Sequence, residues 1–420
     1  MMANKEISRT NKPESRLFYG YIVVAVVFFI LMVATGVNNS FTLFFKPMLA
    51  DFNWTRAVTS GAFSISVIIS GVLGMAMGLL ADRFGPRLVL TLCGLLTGLG
   101  YLLMSQVGTL WQLYLFYGVI IGIGTSGTWV PLLSSIARWF VQKRSLMTGI
   151  VTTGVGIGTI IAPPLISRSI INYGWRLSYI ILGGILLVLI VFAAQFLKRD
   201  PARVGQLPYG EKEAKQQVLK SGARDFSLKE AVGTNQFWFA FIMLFCGGFC
   251  NLSIGVHLVP HITELGVSTI GAANILAVTG VVSILGNFVL GGAADRIGNR
   301  RVFIIAFILT AADLFWLVPA REIWMLYLFA VVYGFIFGGA GAIESPLIAG
   351  LFGLSSHGLI FGVVHVGFAI GAASGPFVTG YIYDLTGSYQ MAFLVAAAFG
   401  IVGLIMAAIL RPTKRIGIRI

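Results

Sequence analysis

Two side chains late in the chain could hold a proton inside a membrane. Glu344 sits in Gly338-Gly339-Ala340-Gly341-Ala342-Ile343-Glu344-Ser345-Pro346, with apolar sequence on both sides. A carboxylate at bilayer depth costs on the order of 3 kcal/mol on insertion scales, so it must face a cavity or a partner. Placed there it can carry a proton. The plainer alternative is a carboxylate satisfied by Ser345 or by backbone freed at Pro346. His365 lies early in the next apolar run. Its imidazole can share a proton with Glu344, hydrogen-bond a solute, or serve only packing. Asn38 and Asn251 put amides into two other apolar runs, for polar groups of a solute or for bonds between helices.

A second kind of chemistry is repeated. Gly78-Leu79-Leu80-Ala81-Asp82-Arg83-Phe84-Gly85-Pro86-Arg87 reappears 213 positions later as Gly291-Gly292-Ala293-Ala294-Asp295-Arg296-Ile297-Gly298-Asn299-Arg300. At the same offset Asn38, Ser40 and Pro47 meet Asn251, Ser253 and Pro260. Gly154, Gly158, Pro163 and Gly174 meet Gly367, Gly371, Pro376 and Gly387. One register held across four hydrophobic segments marks two like-built halves, the plan of a transporter that alternates its access around a central site. An aspartate at a helix end can pair with a nearby arginine or with the positive N-terminus of a neighbouring helix. Such a contact can form when one side closes and break when it opens. That assigns a gating role to Asp82, Arg83, Arg87, Asp295, Arg296 and Arg300; the alternative is a static, positively charged turn. Gly74, Gly78 and Gly85 allow close helix contact and a tight reversal.

The elements that position these groups follow from composition. The 420 residues are 57% hydrophobic and 10% charged, whereas a soluble domain carries about 25% charged residues. Twelve apolar runs between 18 and 410 are long enough to cross a bilayer. We expect an all-α membrane protein with six spans over 18–197, a linker over 198–235, six spans over 236–410, and tails at 1–17 and 411–420. With the N-terminus inside, 24 of the 29 Lys and Arg fall on the cytoplasmic side, which makes both tails cytoplasmic. Lys46 and Arg56 are left near the outer face. The net charge of +14 then meets inner-leaflet lipid and requires no nucleic acid. Cys93, Cys246 and Cys250 lie in apolar runs and make no disulfide framework or metal-ligand spacing. There is no phosphate-cradling loop, metal cluster or Ser/His/Asp set, so neither an enzyme nor an ATP-driven pump is expected, and no cofactor. Short loops and the lack of a targeting segment point to a bacterial inner membrane.

The duplicated Gly-x-x-x-Asp-Arg-x-Gly-x-Arg motif resembles the signature of the major facilitator superfamily over nearly the whole chain. Ala137-Arg138-Trp139-Phe140-Val141-Gln142-Lys143-Arg144, continuing to Gly149, Gly154, Gly156 and Gly158, is similar to the span-five signature of the monocarboxylate transporter family and of the oxalate–formate antiporter group. Gln236-Phe237-Trp238 and Gly174-Trp175-Arg176 fit that group as well. In the first span, Leu17-Phe18-Tyr19-Gly20-Tyr21 keeps only the aromatic–glycine core of the family pattern.

The resemblance implies a proton-coupled or exchanging transporter of a small organic anion such as a monocarboxylate. It implies a monomer working with lipid, a small-molecule substrate and protons, without ATP. It also implies site residues. A family lysine in span one falls at Asn39, and a family Asp/Arg pair in span eight falls at Ser283 and Asn287. Phe368 occupies a lysine position of the oxalate–formate group. All four charges are absent here, and a buried anion needs a cation or several donors. An alternative therefore stands: proton-coupled movement of a neutral, cationic or amphipathic solute, including drug-like efflux. In the superfamily architecture Asn38 and Asn251 fall on cavity-lining spans, and Asp313 falls at the periphery as a structural or interfacial residue. His257, beside His261, reads as an outer rim. Tyr117, Trp129 and Tyr333 either shape a cavity or pack.

Overall fold

The turns that carry the repeated motif owe their shape to glycine. In the computed structural model, which describes residues 18–54, 56–210 and 225–411, Gly85 and Gly298 have φ of +93° and +94°. Glycine adopts this backbone freely and a side chain does not. Each reverses the chain between two spans, and Pro86 then opens the next helix, where its missing N–H is no loss.

Ten helices among the described residues are long and apolar enough to cross a bilayer. One of them, Arg144–Ala194, loses helical backbone at Gly174 (φ 77°, ψ 163°) and forms two spans, five and six. Asn299–Leu317 supplies span nine. The chain thus has the twelve-span, all-α membrane architecture expected of it. Span one is Tyr19–Asn39, span two Arg56–Phe84, span three Pro86–Met104 and span four Leu110–Trp139. Span seven is Asn235–Glu264, eight Thr269–Ile297, ten Ile323–Phe352, eleven His357–Thr386 and twelve Gln390–Ile409. Leu92, Val188, Phe192, Phe315 and Leu328 stay exposed, as side chains do where lipid replaces water.

The two halves repeat their packing as well as their sequence. Span one crosses span five where a Cβ on Gly154 would lie 2.5 Å from the carbonyl oxygen of Phe28. Span seven crosses span eleven where a Cβ on Gly367 would lie 2.6 Å from that of Phe241. Both residues of the second contact are displaced by the same 213 positions. Backbone approach this close holds helices together where no hydrophobic effect acts between them.

Two spans are interrupted. Span one breaks at Ser40 and resumes as Phe41–Phe52. Span four runs as a π-helix over Tyr114–Ile121, leaves helical form after Thr125, and restarts at Val130 with Pro131 in its first turn. A wide turn followed by an unwound stretch in mid-membrane is tolerated where it faces a cavity or protein.

The described ends of the linker each fasten to their own half. The Tyr209 N–H donates to the carbonyl of Trp139 at 3.0 Å, and the Val141 N–H to that of Tyr209 at 3.0 Å. At the other end the Phe226 N–H donates to Phe352 at 2.9 Å, and the Leu354 N–H to Asp225 Oδ1 at 2.9 Å. Residues 140–142 and 353–355 are again related by the repeat. The tail 1–17, the linker stretch 211–224, residues 412–420 and the side chains of Lys46 and Arg56 lie outside the described residues.

Candidate transport site

At the end of the bundle bearing the motif turns, each aspartate reaches across to the opposite half. Asp295 accepts from the backbone N–H groups of Ser145 (Oδ1, 2.9 Å) and Leu146 (Oδ2, 2.9 Å), the first turn of span five. Asp82 accepts from the N–H of Leu359 (Oδ2, 3.0 Å) in the first turn of span eleven. Leu146 and Leu359 are themselves repeat mates. A carboxylate placed here satisfies N–H groups that the helix leaves open and meets its positive end. The copies differ in one respect: Asp82 is buried and pairs with Arg138 Nη2 at 2.7 Å, whereas Asp295 is exposed. Arg138 is a partner that sequence reading did not supply.

Two of the four motif arginines bond within their own half. Arg83 and Arg296 are exposed. Arg87 Nε donates to Gln195 Oε1 at 2.8 Å, and Arg300 Nε donates to the carbonyl of Ala407 at 3.2 Å, with Nη2 reaching Ala408. Gln195 and Ala408 are repeat mates at the ends of spans six and twelve, so Arg87 and Arg300 tie helices within their own half. This corrects the expectation that they face the gate. Arg300→Ala is expected to lower folding stability by about 1 kcal/mol, seen as a lower unfolding temperature, and to leave the accessibility of the seam unchanged.

Above the aspartates the halves stay in contact along two helix pairs. Span two meets eleven at Gly78 and Gly358, Met75 and Gly362, and Gly71 and Ala369. Span five meets eight at Ser145 and Gly291, Gly149 and Asn287, and Gly156 and Ile284. Beyond these contacts Ile68, Ile160, Leu165, Val281, Ile370 and Phe377 on the same four helices are exposed.

Ser283 and Asn287, expected to bind substrate, are consumed by this seam. Thr152 Oγ1 donates to Asn287 Oδ1 at 2.6 Å across the halves, and Asn287 Nδ2 donates to the carbonyl of Ser283 at 3.1 Å. Ser283 Oγ donates to Gly280 at 2.7 Å, and both residues are buried. The helices approach so closely at Gly149 that these polar groups bond to each other.

Glu344 and His365 come together at the head of the seam. Glu344 Oε2 lies 3.3 Å from His365 Nδ1, both atoms buried, without the alignment of a hydrogen bond. The His365 ring stacks between Phe368 of its own helix (5.2 Å, 10°) and Trp129 of the other half (6.0 Å, 25°). Trp129 stands at the unwound point of span four, and its Nε1–H is buried with no acceptor among the described residues. Ser345 does not satisfy Glu344: its Oγ pairs with His357 Nε2 at 2.9 Å and reaches the carbonyl of Leu133 at 3.3 Å. The glycines around Trp129 (Gly122, Gly124, Gly127) and Pro131 were a readable sign of the break.

The paired asparagines are each held by a tyrosine. The Tyr117 hydroxyl donates to Asn38 Oδ1 at 3.2 Å; that of Tyr333 donates to the Asn251 carbonyl at 2.9 Å and lies 3.3 Å from Asn251 Oδ1. Asn39 is exposed at the end of its helix. Asn251, Glu344 and Phe368 line one cavity, and Asp313 lines it too. Asp313 is 6% exposed and faces the bundle interior, which corrects its peripheral placement. His257 packs between the Tyr389 hydroxyl (3.3 Å) and the Pro376 carbonyl (3.0 Å).

The model of the Major Facilitator Superfamily matches residues 26–286 and 258–419, each half carrying its own copy of the gate. The chain belongs to that superfamily. It is therefore a membrane transporter and not an enzyme. It is related to proteins named monocarboxylate transporters: it is 28% identical to monocarboxylate transporter 13 of Rattus norvegicus over 94% of this chain and 90% of the relative. It is 26% identical to the uncharacterized MFS-type transporter YhjX of Escherichia coli over 81% of this chain and 82% of that one. Its fold matches the solved structure of the major facilitator transporter FucP in the outward conformation. That match has a TM-score of 0.72 at 18% identity and covers 94% of this chain and 100% of that one.

Proposed function

We propose that this protein moves a small organic solute bearing a carboxylate across a cell membrane by alternating access, with a proton carried on Glu344 and His365. The observation that carries this is the 3.3 Å pair of these two groups, buried where Trp129 brings the other half against them. With Glu344 ionised and His365 neutral the pair is negative and repels an anion. One proton taken up on the imidazole cancels that charge and gives the ring a second N–H, so the anion gains a donor where Asn39, Ser283, Asn287 and Phe368 offer no cation. Solute and proton then travel together because each makes a place for the other. The names of the relatives support a carboxylate.

The distribution of basic residues supports a cytoplasmic motif end, and on that reading the state described is closed inside and parted toward the outside. The match to FucP in the outward conformation supports this. The two halves rock about the Trp129–His365 contact, and the protein acts as a monomer, both termini inside, in a bacterial inner membrane.

The test is uptake by vesicles containing the purified protein, acid outside, against a panel of carboxylates, neutral solutes and lipophilic amines. Accumulation of a carboxylate that collapses when the pH gradient is dissipated is expected. Accumulation restricted to neutral solutes and amines would overturn the reading.

A further inference from the structure

The cavity beside Glu344 continues into the C-terminal half between spans seven, nine and ten, with about 70 Å³ of room for water-sized groups. That is several times what one water needs, so it has room for a charged end group. Its wall holds Asp313, more than nine-tenths buried and without a hydrogen bond or ion pair among the described residues. Glu344 Oε2, equally buried, has no hydrogen bond either. No lysine or arginine lines the space. Its hydroxyl and thiol protons are committed elsewhere: Tyr333 donates to Asn251, Thr310 to the Ala306 carbonyl at 2.9 Å, and Cys250 to the Ala396 carbonyl at 3.2 Å. Only the Asn251 amide is left to donate. The rest of the wall includes Phe303, Phe307, Phe337 and Phe368.

A cavity with two carboxylates, aromatic faces and scarcely a donor lacks a positive charge that brings its own N–H groups. An ammonium or guanidinium supplies both and is attracted to the rings. A bare proton would neutralise Asp313 but fill none of the space. We infer that this cavity is the second pole of the transport site and takes a cationic nitrogen. The preferred solute is then a zwitterion, with its carboxylate at His365 and its nitrogen toward Asp313. The inference rests on the carboxylate reading above and narrows it. It also gives the missing cations of the family pattern a reason: a site that carries acids for the nitrogen has less need of fixed bases for the carboxylate.

The experiment uses the full chain in vesicles under a fixed proton gradient, with straight-chain monocarboxylates, ω-amino acids and alkylamines of matched length. In the wild type the ω-amino acid is expected to reach half-saturation at a concentration about tenfold below the matched monocarboxylate, the size of one charge-assisted contact. Asp313→Asn is expected to erase that preference while proton-driven monocarboxylate uptake persists, and Asp313→Glu to restore part of it. A wild type that takes the monocarboxylate as well as the ω-amino acid overturns the inference and leaves the carboxylate reading standing. Uptake of alkylamines alone overturns both. A preference that survives in a well-folded Asp313→Asn protein overturns the role of Asp313.

Discussion

Replacing Asp82 with asparagine is expected to shift the protein out of the closed-inside state and cut transport severely. Asparagine keeps an oxygen that can accept the Leu359 N–H but loses the charge that meets the positive end of span eleven. Arg138, at 2.7 Å, lies on span four of the same half as Asp82 and travels with it, so that pair holds the carboxylate in place in both states. The contact that parts on opening is the one to span eleven, worth up to about 2 kcal/mol in a partly buried geometry. A loss of that size moves the closed-to-open ratio by up to about 30-fold. The measurement is thiol labelling of Met75→Cys, a position packed against Gly362 in the seam, with the three native cysteines replaced. Labelling from the cytoplasmic side should rise with Asp82→Asn. An unchanged labelling rate would remove Asp82 from the gate. Asp295→Asn should act in the same direction but more weakly, since its carboxylate is exposed and solvent screens its contacts with the Ser145 and Leu146 N–H groups.

That asymmetry shows what one dimension reveals and what it hides. The twelve spans and the two halves were legible because hydropathy and a fixed offset survive without knowledge of neighbours. The reach of each aspartate to a helix N-terminus was legible for the same reason, being a property of helix ends. Which partner completes the contact was not. Arg138 stood in the quoted span-five signature, yet nothing in its spacing ties it to a residue 56 positions earlier.

Ser283 and Asn287 failed for a related reason. Alignment placed them where other transporters hold charges, but Thr152, which bonds Asn287, and Gly149, which packs against it, lie on a helix of the opposite half. Asp313 failed because span nine is apolar on nearly every side, so its sequence carries no stripe that tells lipid from bundle. Glu344 and His365 do meet in the structure, 3.3 Å apart, as ionisable groups in apolar runs with few places to go.

Glu344→Gln is expected to abolish accumulation driven by protons while leaving exchange of solute for solute. One proton coupled to uptake against a gradient of one pH unit supports about a tenfold concentration ratio, since a pH unit is worth about 1.4 kcal/mol. Glutamine fills the same volume and still meets His365, so the cavity keeps its shape, but it neither takes up nor releases the proton. Net uptake should then stop near equal concentrations, and the remaining exchange should lose the part of its pH dependence that Glu344 contributes. Accumulation still near tenfold would mean that the proton travels on another group. Asp313, the other carboxylate in the cavity, is then the residue to change, and loss of coupling in Asp313→Asn alone would move the proton from the mouth of the site to its depth. Loss of exchange together with accumulation would instead make Glu344 a solute contact. The pair of measurements therefore separates the carrier of the proton from the holder of the solute, two roles that a buried carboxylate 3.3 Å from a histidine is equally able to fill.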